Sequence, residues 1–167
     1  NYNITPSLRA GVSVNTDFAE AEVDQRRINL TRFPLRFPER RDFFLEGSGV
    51  FSFARRNGAD PYFSRRIGLS RDGQRIPILG GGKVTGKAGG LSIGALDMKT
   101  GEEGGLASTN YSVLRLRQDL LARSSIGGIV TNQSGGGTYN RTAGIDGRFL
   151  LFDNLTLEGF VMRSAEP

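Results

Sequence analysis

The sequence predicts an all-β fold: an antiparallel transmembrane β-barrel, of which this chain is an N-terminal portion, with a long irregular plug-like insert that contains a short helix. Apolar and polar residues alternate along about seven runs, the pattern of a strand with one apolar face. Several runs exceed the roughly 5–6 residues typical of soluble strands and approach the ~9–11 residues that cross a bilayer when tilted. Short turns alternate with longer glycine-rich loops, as at the two ends of such a barrel.

A soluble antiparallel sandwich is the alternative, because its strands also alternate and its turns are also rich in glycine. Strand length and the small residues on the apolar faces favour the membrane barrel. Both alternatives stay open on periodicity alone.

The first strand is predicted within residues 1–16. Four alternate residues share an apolar face: Leu8, Ala10, Val12 and Val14. The residues between them are polar or glycine, so the strand has one face for an apolar environment and one for a polar environment.

Residues 17–79, here called the insert, lack sustained periodicity. A long irregular segment in a compact fold is usually functional or disordered, and the many phenylalanines of the insert argue against disorder. Pro38 as the first helical residue and Gly47 as the C-terminal cap predict a helix of about two turns over Glu39–Glu46. That helix is too short to be stable alone, so we expect the strands to provide a surface for it.

Residues 80–167 are predicted to form consecutive antiparallel strands. Gly89-Gly90 separates two alternating runs and gives the clearest hairpin signal in the chain. The alternation slips over 96–98, which predicts a β-bulge. The later strands are predicted over 111–118, 126–132, 139–151 and 155–163, with a turn at 119–124, a flexible loop at 133–138 and a turn at 153–154.

The composition excludes several kinds of chemistry. The chain has no cysteine and no histidine, so it has no disulfide, no thiolate or histidine metal site, and no Ser-His or Cys-His catalysis. A net charge of +5 permits nucleic acid, anionic lipid or acidic sugar as a partner. Because the chain opens inside an apparent strand, it is expected to be processed or an excerpt. We predict no cofactor and no enzyme activity.

Several stretches carry a family resemblance, most specifically 37–47 (FPERRDFFLEG), together with 15–24 (NTDFAEAEVD), 63–68 (FSRRIG) and 78–87 (ILGGGKVTGK). In these stretches the chain resembles the C-terminal domain, of unassigned function, in bacterial outer-membrane proteins whose N-terminal module resembles a family-nine carbohydrate-binding domain. The resemblance implies a larger barrel in the bacterial outer membrane, with the insert filling or lining its lumen or capping its periplasmic mouth. It transfers no catalytic residue.

The candidate binding residues are arginines and neighbouring phenylalanines of the insert: Arg40, Arg41, Phe43, Phe44, Arg65 and Arg66. Arginine recognises carboxylate or phosphate and aromatic rings stack on sugars, so these side chains could bind an anionic solute or an oligosaccharide. The alternative is a salt-bridged insert without a ligand, because its acids nearly match its arginines.

Other motifs in the sequence are weaker. The metal candidates are four acids whose spacing does not fit a calcium loop: Asp17, Glu20, Glu22 and Asp24. Residues 81–87 match the start of a phosphate-binding loop, but Ala88 stands where Ser or Thr is needed and no helix is predicted. The carboxylates of Glu39, Asp42 and Glu46 could serve glycoside hydrolysis, although the adjacent arginines favour ion pairing.

Three functions remain open. The first, preferred here, is an outer-membrane β-barrel that binds or passes a solute such as an oligosaccharide. The second is a structural or assembly component that anchors a surface module to the cell envelope. The third is a soluble basic β-protein that binds nucleic acid, although no nucleic acid partner is expected. The expected partners are outer-membrane lipid, the rest of the barrel and the carbohydrate-binding-like module.

Overall fold

The computed structural model describes residues 1–16, 38–54, 59–70, 74–120, 123–152 and 154–167. These ranges contain a single antiparallel sheet of eight strands in chain order, which confirms the all-β antiparallel prediction. Among the described residues the sheet is not closed, and its two outermost strands each have one edge without a partner strand. The strands are β1 (Tyr2–Thr5), β2 (Leu8–Thr16), β3 (Ile78–Ala88), β4 (Leu91–Thr100), β5 (Thr109–Leu120), β6 (Ser124–Gly135), β7 (Thr138–Leu151) and β8 (Leu155–Ala165).

Several element boundaries differ from the prediction. The segment 1–16 is a hairpin rather than one strand, because Pro6 and Ser7 turn the chain between β1 and β2. β5 and β6 extend into the predicted turn at 119–124. The predicted flexible loop at 133–138 is mostly strand, since β6 and β7 pair up to a two-residue turn at Gly136-Gly137. The Gly89-Gly90 turn lies where it was predicted.

The predicted bulge at 96–98 is wrong. β4 pairs without interruption from Leu91 to Lys99 with β3 on one side and β5 on the other. Leu96 and Met98 are buried on one face of the sheet, whereas Ile93 lies on the other face. The alternation therefore slips because the apolar residues change face along β4, from the face of Ile93 and Ala95 to the face of Leu96 and Met98, and not because the strand is irregular.

The predicted helix over 39–46 is shorter in the structure. The helix α1 (Asp42–Leu45) has a single turn, because the Glu39 carboxylate accepts the backbone N–H groups of Arg40 and Arg41 at 3.1 Å each and holds them outside the helix. Gly47 follows α1 with a φ of 68°, the left-handed conformation expected of a C-terminal cap. Two short 3-10 helices follow, Ser48–Phe51 and Ser64–Arg66.

The hydrophobic core lies between the described part of the insert (residues 38–54, 59–70 and 74–77, since β3 begins at Ile78) and one face of the sheet. We call this face the inner face and the opposite face the outer face. The core combines four side chains of the insert with five of the sheet: Phe44, Phe51, Phe53 and Ile67 with Ile78, Leu96, Met98, Val113 and Ile129.

Within the described ranges, no helix is long and apolar enough to cross a membrane.

Candidate functional site

A buried arginine of β5 anchors the insert to the inner face. Arg115 is 1% exposed, and its Nη1 and Nη2 atoms donate to the Asp146 carboxylate at 2.6 and 2.8 Å. Its Nε donates to the Ser52 carbonyl at 3.1 Å, and its guanidinium lies 5.3 Å from the centre of the Phe53 ring. Asp146 also accepts the Ala54 N–H at 3.3 Å. One ion pair between β5 and β7 thus holds residues 52–54.

A lysine of β3 provides a second anchor. Lys83 is 5% exposed, and its Nζ donates to the carbonyls of Phe43 and Glu46, the latter at 2.6 Å. These carbonyls belong to the C-terminal end of α1, where a cation is favourable. The Glu46 carboxylate accepts from Arg9 of β2 and from the Asn1 amide at 2.8 Å. The insert is therefore tied to β2, β3, β5 and β7.

Glycines on the inner face make room for the aromatic rings of the insert. A Cβ atom at Gly94 would lie 2.9 Å from Val50 Cγ1 and 3.0 Å from the Phe51 ring. A Cβ atom at Gly144 would lie 2.8 Å from Phe53 Cζ. The rings of Phe51 and Phe53 therefore lie directly on the backbone of β4 and β7.

The six candidate binding residues have different surroundings. Arg41 and Phe44 are buried together, with the guanidinium 4.1 Å from the ring centre. Phe43 packs edge-on against Phe44 at 5.2 Å between ring centres. Arg65 is half-buried and its Nη1 donates to the Pro38 carbonyl at 2.6 Å. The remaining two, Arg40 and Arg66, are exposed. Solute binding by these residues stays a prediction.

Arg41 and Glu39 form an ion pair that stabilises the fold of the insert. The Nε and Nη2 atoms of Arg41 donate to the two carboxylate oxygens of Glu39 at 2.8 and 2.7 Å. The Nη1 and Nη2 atoms of Arg41 also donate to the carbonyls of Ile67 and Ser64, each at 2.8 Å. Ser64 Oγ donates to Glu39 at 2.7 Å. This arrangement supports the salt-bridged alternative for Arg41.

The pKa of Glu39 lies below its ordinary value of 4.5. Burial raises this pKa, but the hydrogen bonds from Arg41 and Ser64 and the charge of Arg41 together lower it further than burial raises it. The carboxylate is therefore charged in the folded insert at neutral pH.

We expect Glu39 to stabilise the folded protein above pH about 4.5 and to lose that contribution as the pH falls through its lowered folded pKa, because the unfolded chain binds the proton first. Urea unfolding of the parent and of Glu39→Gln, measured from neutral pH to about pH 3, should show a stability difference that shrinks in this window. A difference that is the same at every pH would contradict the prediction.

Two of the weaker motifs have different outcomes, because one lies outside the described residues and the other lies inside a strand. The four metal candidates, Asp17, Glu20, Glu22 and Asp24, lie outside the described residues. Within the described ranges no group of three or more acids could hold a metal ion. Residues 81–87 lie inside β3, so the match to a phosphate-binding loop has no helix N-terminus behind it.

Sequence reasoning missed the pair of Arg115 and Asp146 as a site. Both residues stood on the polar faces of predicted strands, each near the middle of an alternating run. A charge in mid-strand on the inner face of a sheet needs a partner when something covers that face. The mid-strand charges were visible in the sequence, but their pairing was not. β6 lies between β5 and β7, so the two residues are on strands that are not adjacent.

The outer face carries an apolar band that crosses the sheet from β2 to β8. Residues that pair across the strands on this face are apolar or glycine, and several are strongly exposed, among them Val130 (52%), Ile145 (62%) and Val161 (78%). A soluble monomer rarely exposes an apolar patch that extends across a whole sheet. One row of the band comprises Leu8, Gly86, Ile93, Leu116, Gly128, Ile145 and Val161.

The limit of this band shifts along the strands as the sheet is crossed. In β2 the apolar residues extend to Val14, which is paired with Gly80 and lies in the row of Lys99. In β8 the apolar residues end at Val161, because Arg163 occupies the next outer-face position. Val161 lies in the row of Leu8, three outer-face rows before the row of Val14. Strands of a barrel are tilted by about 35–45° and staggered, so a band that is level in a membrane must shift in this way.

Beyond the band, at the end of the sheet where residues 101–108 and Gly136-Gly137 connect the strands, the outer face becomes polar. We call these outer-face residues the polar rim: Asp97, Lys99, Asn110, Ser112, Asn132, Ser134, Arg141 and Arg163. Asp97 accepts from the Asn110 amide at 3.1 Å and from Ser112 Oγ at 2.5 Å. Arg141 Nε donates to Asn132 Oδ1 at 3.0 Å. Side-chain hydrogen bonds in the rim thus join β4 to β5 and β6 to β7.

Comparison with known proteins gives one family match. A family model described as a domain of unknown function (DUF5916) matches residues 1–94. This range covers β1 to β3, the insert and the start of β4. No curated protein and no solved structure matches the chain.

Proposed function

The chain belongs to the DUF5916 family, and because that family is described only as a domain of unknown function, we propose a function from the geometry: part of a bacterial outer-membrane β-barrel that binds or passes a solute. The observation that carries the proposal is the apolar band on the outer face, which lies opposite an inner face where charged residues such as Lys83 and Arg115 adjoin a hydrophobic core covered by the insert. Outer-membrane barrels have this distribution, with lipid outside and polar side chains inside.

The unpaired edges of the sheet support a barrel with more strands. All residues of β8 are exposed, and one of its edges has no partner within the described ranges. A bilayer does not tolerate unpaired backbone N–H and C=O groups, so further strands must close the sheet there. A barrel of about eight strands is filled by its own side chains. Because the insert occupies the inner face as well, we infer a wider barrel with the insert as its plug.

The solute that fits this inner face carries carboxylate or phosphate groups, as an acidic oligosaccharide does. Arg40 and Arg66 are exposed on the insert. On the inner face Lys87 of β3 and Arg148 of β7 have half-exposed side chains, each paired with one carboxylate, those of Asp119 and Glu158. Arginine binds such groups through paired N–H donors. The proposed partners in the envelope are the remaining strands of the barrel and a carbohydrate-binding-like module.

Single tryptophans test which face contacts lipid, since this chain contributes no tryptophan of its own. We expect Val130→Trp, on the outer band of β6, to be strongly quenched in vesicles whose lipid acyl chains carry bromine. Two matched controls lie on the same strand: Thr131→Trp on the inner face and Ser134→Trp on the polar rim. Both should be quenched weakly.

Equal quenching at all three positions would contradict the membrane orientation of the sheet. A complete protein that stays soluble and monomeric without detergent would contradict the barrel itself. In that case the soluble nucleic-acid-binding alternative would be tested next, although such a protein has no need of the apolar band.

The second candidate function, an anchor for a surface module, is favoured by one observation. The buried pair of Arg115 and Asp146 fixes residues 52–54 to the inner face, and a tightly fixed insert blocks passage. Ion conductance of the complete protein in a planar bilayer distinguishes the two candidates. Measurable conductance supports passage, whereas its absence in a correctly inserted protein supports the anchor.

A further inference from the structure

Two arginines of the polar rim are adjacent without a counter-ion in the described part of the chain. Arg163 of β8 lies opposite Ala143, and Arg141 of β7 lies opposite Ala165. The two arginines are therefore diagonal neighbours on the outer face, and such positions on adjacent strands are about 7–8 Å apart. Arg141 uses its Nε for Asn132, but among the described residues neither its Nη atoms nor the Arg163 guanidinium has an acceptor.

This pair lies at the boundary of the apolar band. Val161 is the last apolar outer residue of β8 before Arg163 and is 78% exposed. Tyr139 lies on the outer face of β7 next to Arg141. The Arg141 guanidinium is 4.7 Å from the centre of the Tyr139 ring. Tyrosine and arginine just beyond an apolar band are typical of the interface between a membrane and water.

We propose that Arg141 and Arg163 bind the phosphate of an anionic lipid headgroup. The proposal rests on the membrane orientation given under the proposed function. Two neighbouring guanidinium groups repel each other, and one phosphate between them offsets that repulsion by accepting charge-assisted hydrogen bonds from both. The small side chains of Ala143 and Ala165 leave space above the sheet for the headgroup, and the acyl chains of the lipid would lie along Val161.

The other charges of the polar rim are compatible with an anionic lipid. Lys99 on β4 adds a third exposed cation to the outer face. The acid of the rim, Asp97, already accepts from Asn110 and Ser112, and two strands separate it from Arg141. Glu166, near the end of β8, accepts from Asn140 of β7. No described carboxylate accepts a hydrogen bond from either arginine.

The test compares lipid binding by the parent, by Arg141→Gln/Arg163→Gln and by a charge-matched control, Arg75→Gln/Arg123→Gln. Both double variants lower the net charge of the chain from +5 by two, and neither control arginine lies on a strand of the sheet. The complete protein in detergent is titrated with phosphatidylglycerol, and separately with phosphatidylcholine, and bound lipid is counted by native mass spectrometry. We expect the parent and the control to prefer phosphatidylglycerol and the rim variant to bind it about tenfold or more weakly.

A parent without preference for phosphatidylglycerol, or an equal loss in the control, would overturn the proposal. Inorganic phosphate should not displace the lipid, because it lacks acyl chains to lie on the apolar band, and full displacement would also overturn it. Quenching of Val130→Trp by brominated lipid keeps the two proposals separate. If that quenching occurs while lipid preference is absent, only the headgroup site is wrong; without quenching, the membrane orientation itself is wrong.

Discussion

Asp146→Ala is expected to lower the free energy of unfolding by about 3–5 kcal/mol, because it leaves the Arg115 guanidinium charged and buried without its counter-ion. The substitution also removes the acceptor of the Ala54 N–H, so residues 52–54 lose part of their attachment to β7. The loss should appear as a lower urea midpoint of the complete protein folded in detergent, followed by circular dichroism.

Two further variants make the result specific to the buried pair. Arg115→Met/Asp146→Leu should recover much of the stability, because removing both charges also removes the cost of burying them. Asp119→Ala breaks the exposed pair with Lys87 on the same inner face and should leave the midpoint nearly unchanged. A midpoint for Asp146→Ala equal to that of Asp119→Ala would show that Arg115 does not depend on its partner.

Phe53→Ala is expected to cost about 3–5 kcal/mol, the range for truncating a fully buried aromatic residue. The Phe53 ring is 1% exposed, lies on the backbone of Gly144 and meets the Phe160 ring edge-on at 5.9 Å. Its removal leaves a cavity between the insert and β7, which neither element can close without moving. The measurement is the same urea unfolding of the complete protein.

Phe152→Ala is the matched control, because Phe152 is 87% exposed in the turn between β7 and β8. Its truncation should change the stability far less. If Phe53→Ala and Phe152→Ala shift the midpoint alike, the insert is not held against the sheet by its aromatic side chains.

The strands could be predicted from the sequence because their outer face has one constant environment. Leu114 and Leu116 alternate with Val113 and Arg115 whatever packs on the inner face, and β5 follows that pattern over its length. The prediction of a bulge in β4 was wrong because Leu96 and Met98 are apolar for a reason that the local sequence does not show. They pack against the insert, which lies far away in sequence. The local sequence therefore shows which face of a strand is apolar, but it does not show which distant residues contact the inner face.

The candidate site was predicted only in part for the same reason. The density of arginine and phenylalanine located the insert, and the cap at Gly47 follows from its local sequence. The partners of these side chains are set by the meeting of distant segments, as with Arg41 and the carbonyls of Ser64 and Ile67. No local pattern distinguishes an arginine that binds such carbonyls from one that awaits a ligand.

The attachment of the insert also has a kinetic consequence. β3 to β8 can form by successive pairing of neighbours, a process with low contact order, whereas Ala54 reaches Asp146 across 92 residues of sequence. Residues 52–54 cannot form their hydrogen bonds with Arg115 and Asp146 until β5 and β7 have both formed. Phe51 and Phe53, which are buried in the folded structure, therefore stay exposed while the later strands assemble. Until that attachment forms, the exposed phenylalanines of this segment favour aggregation.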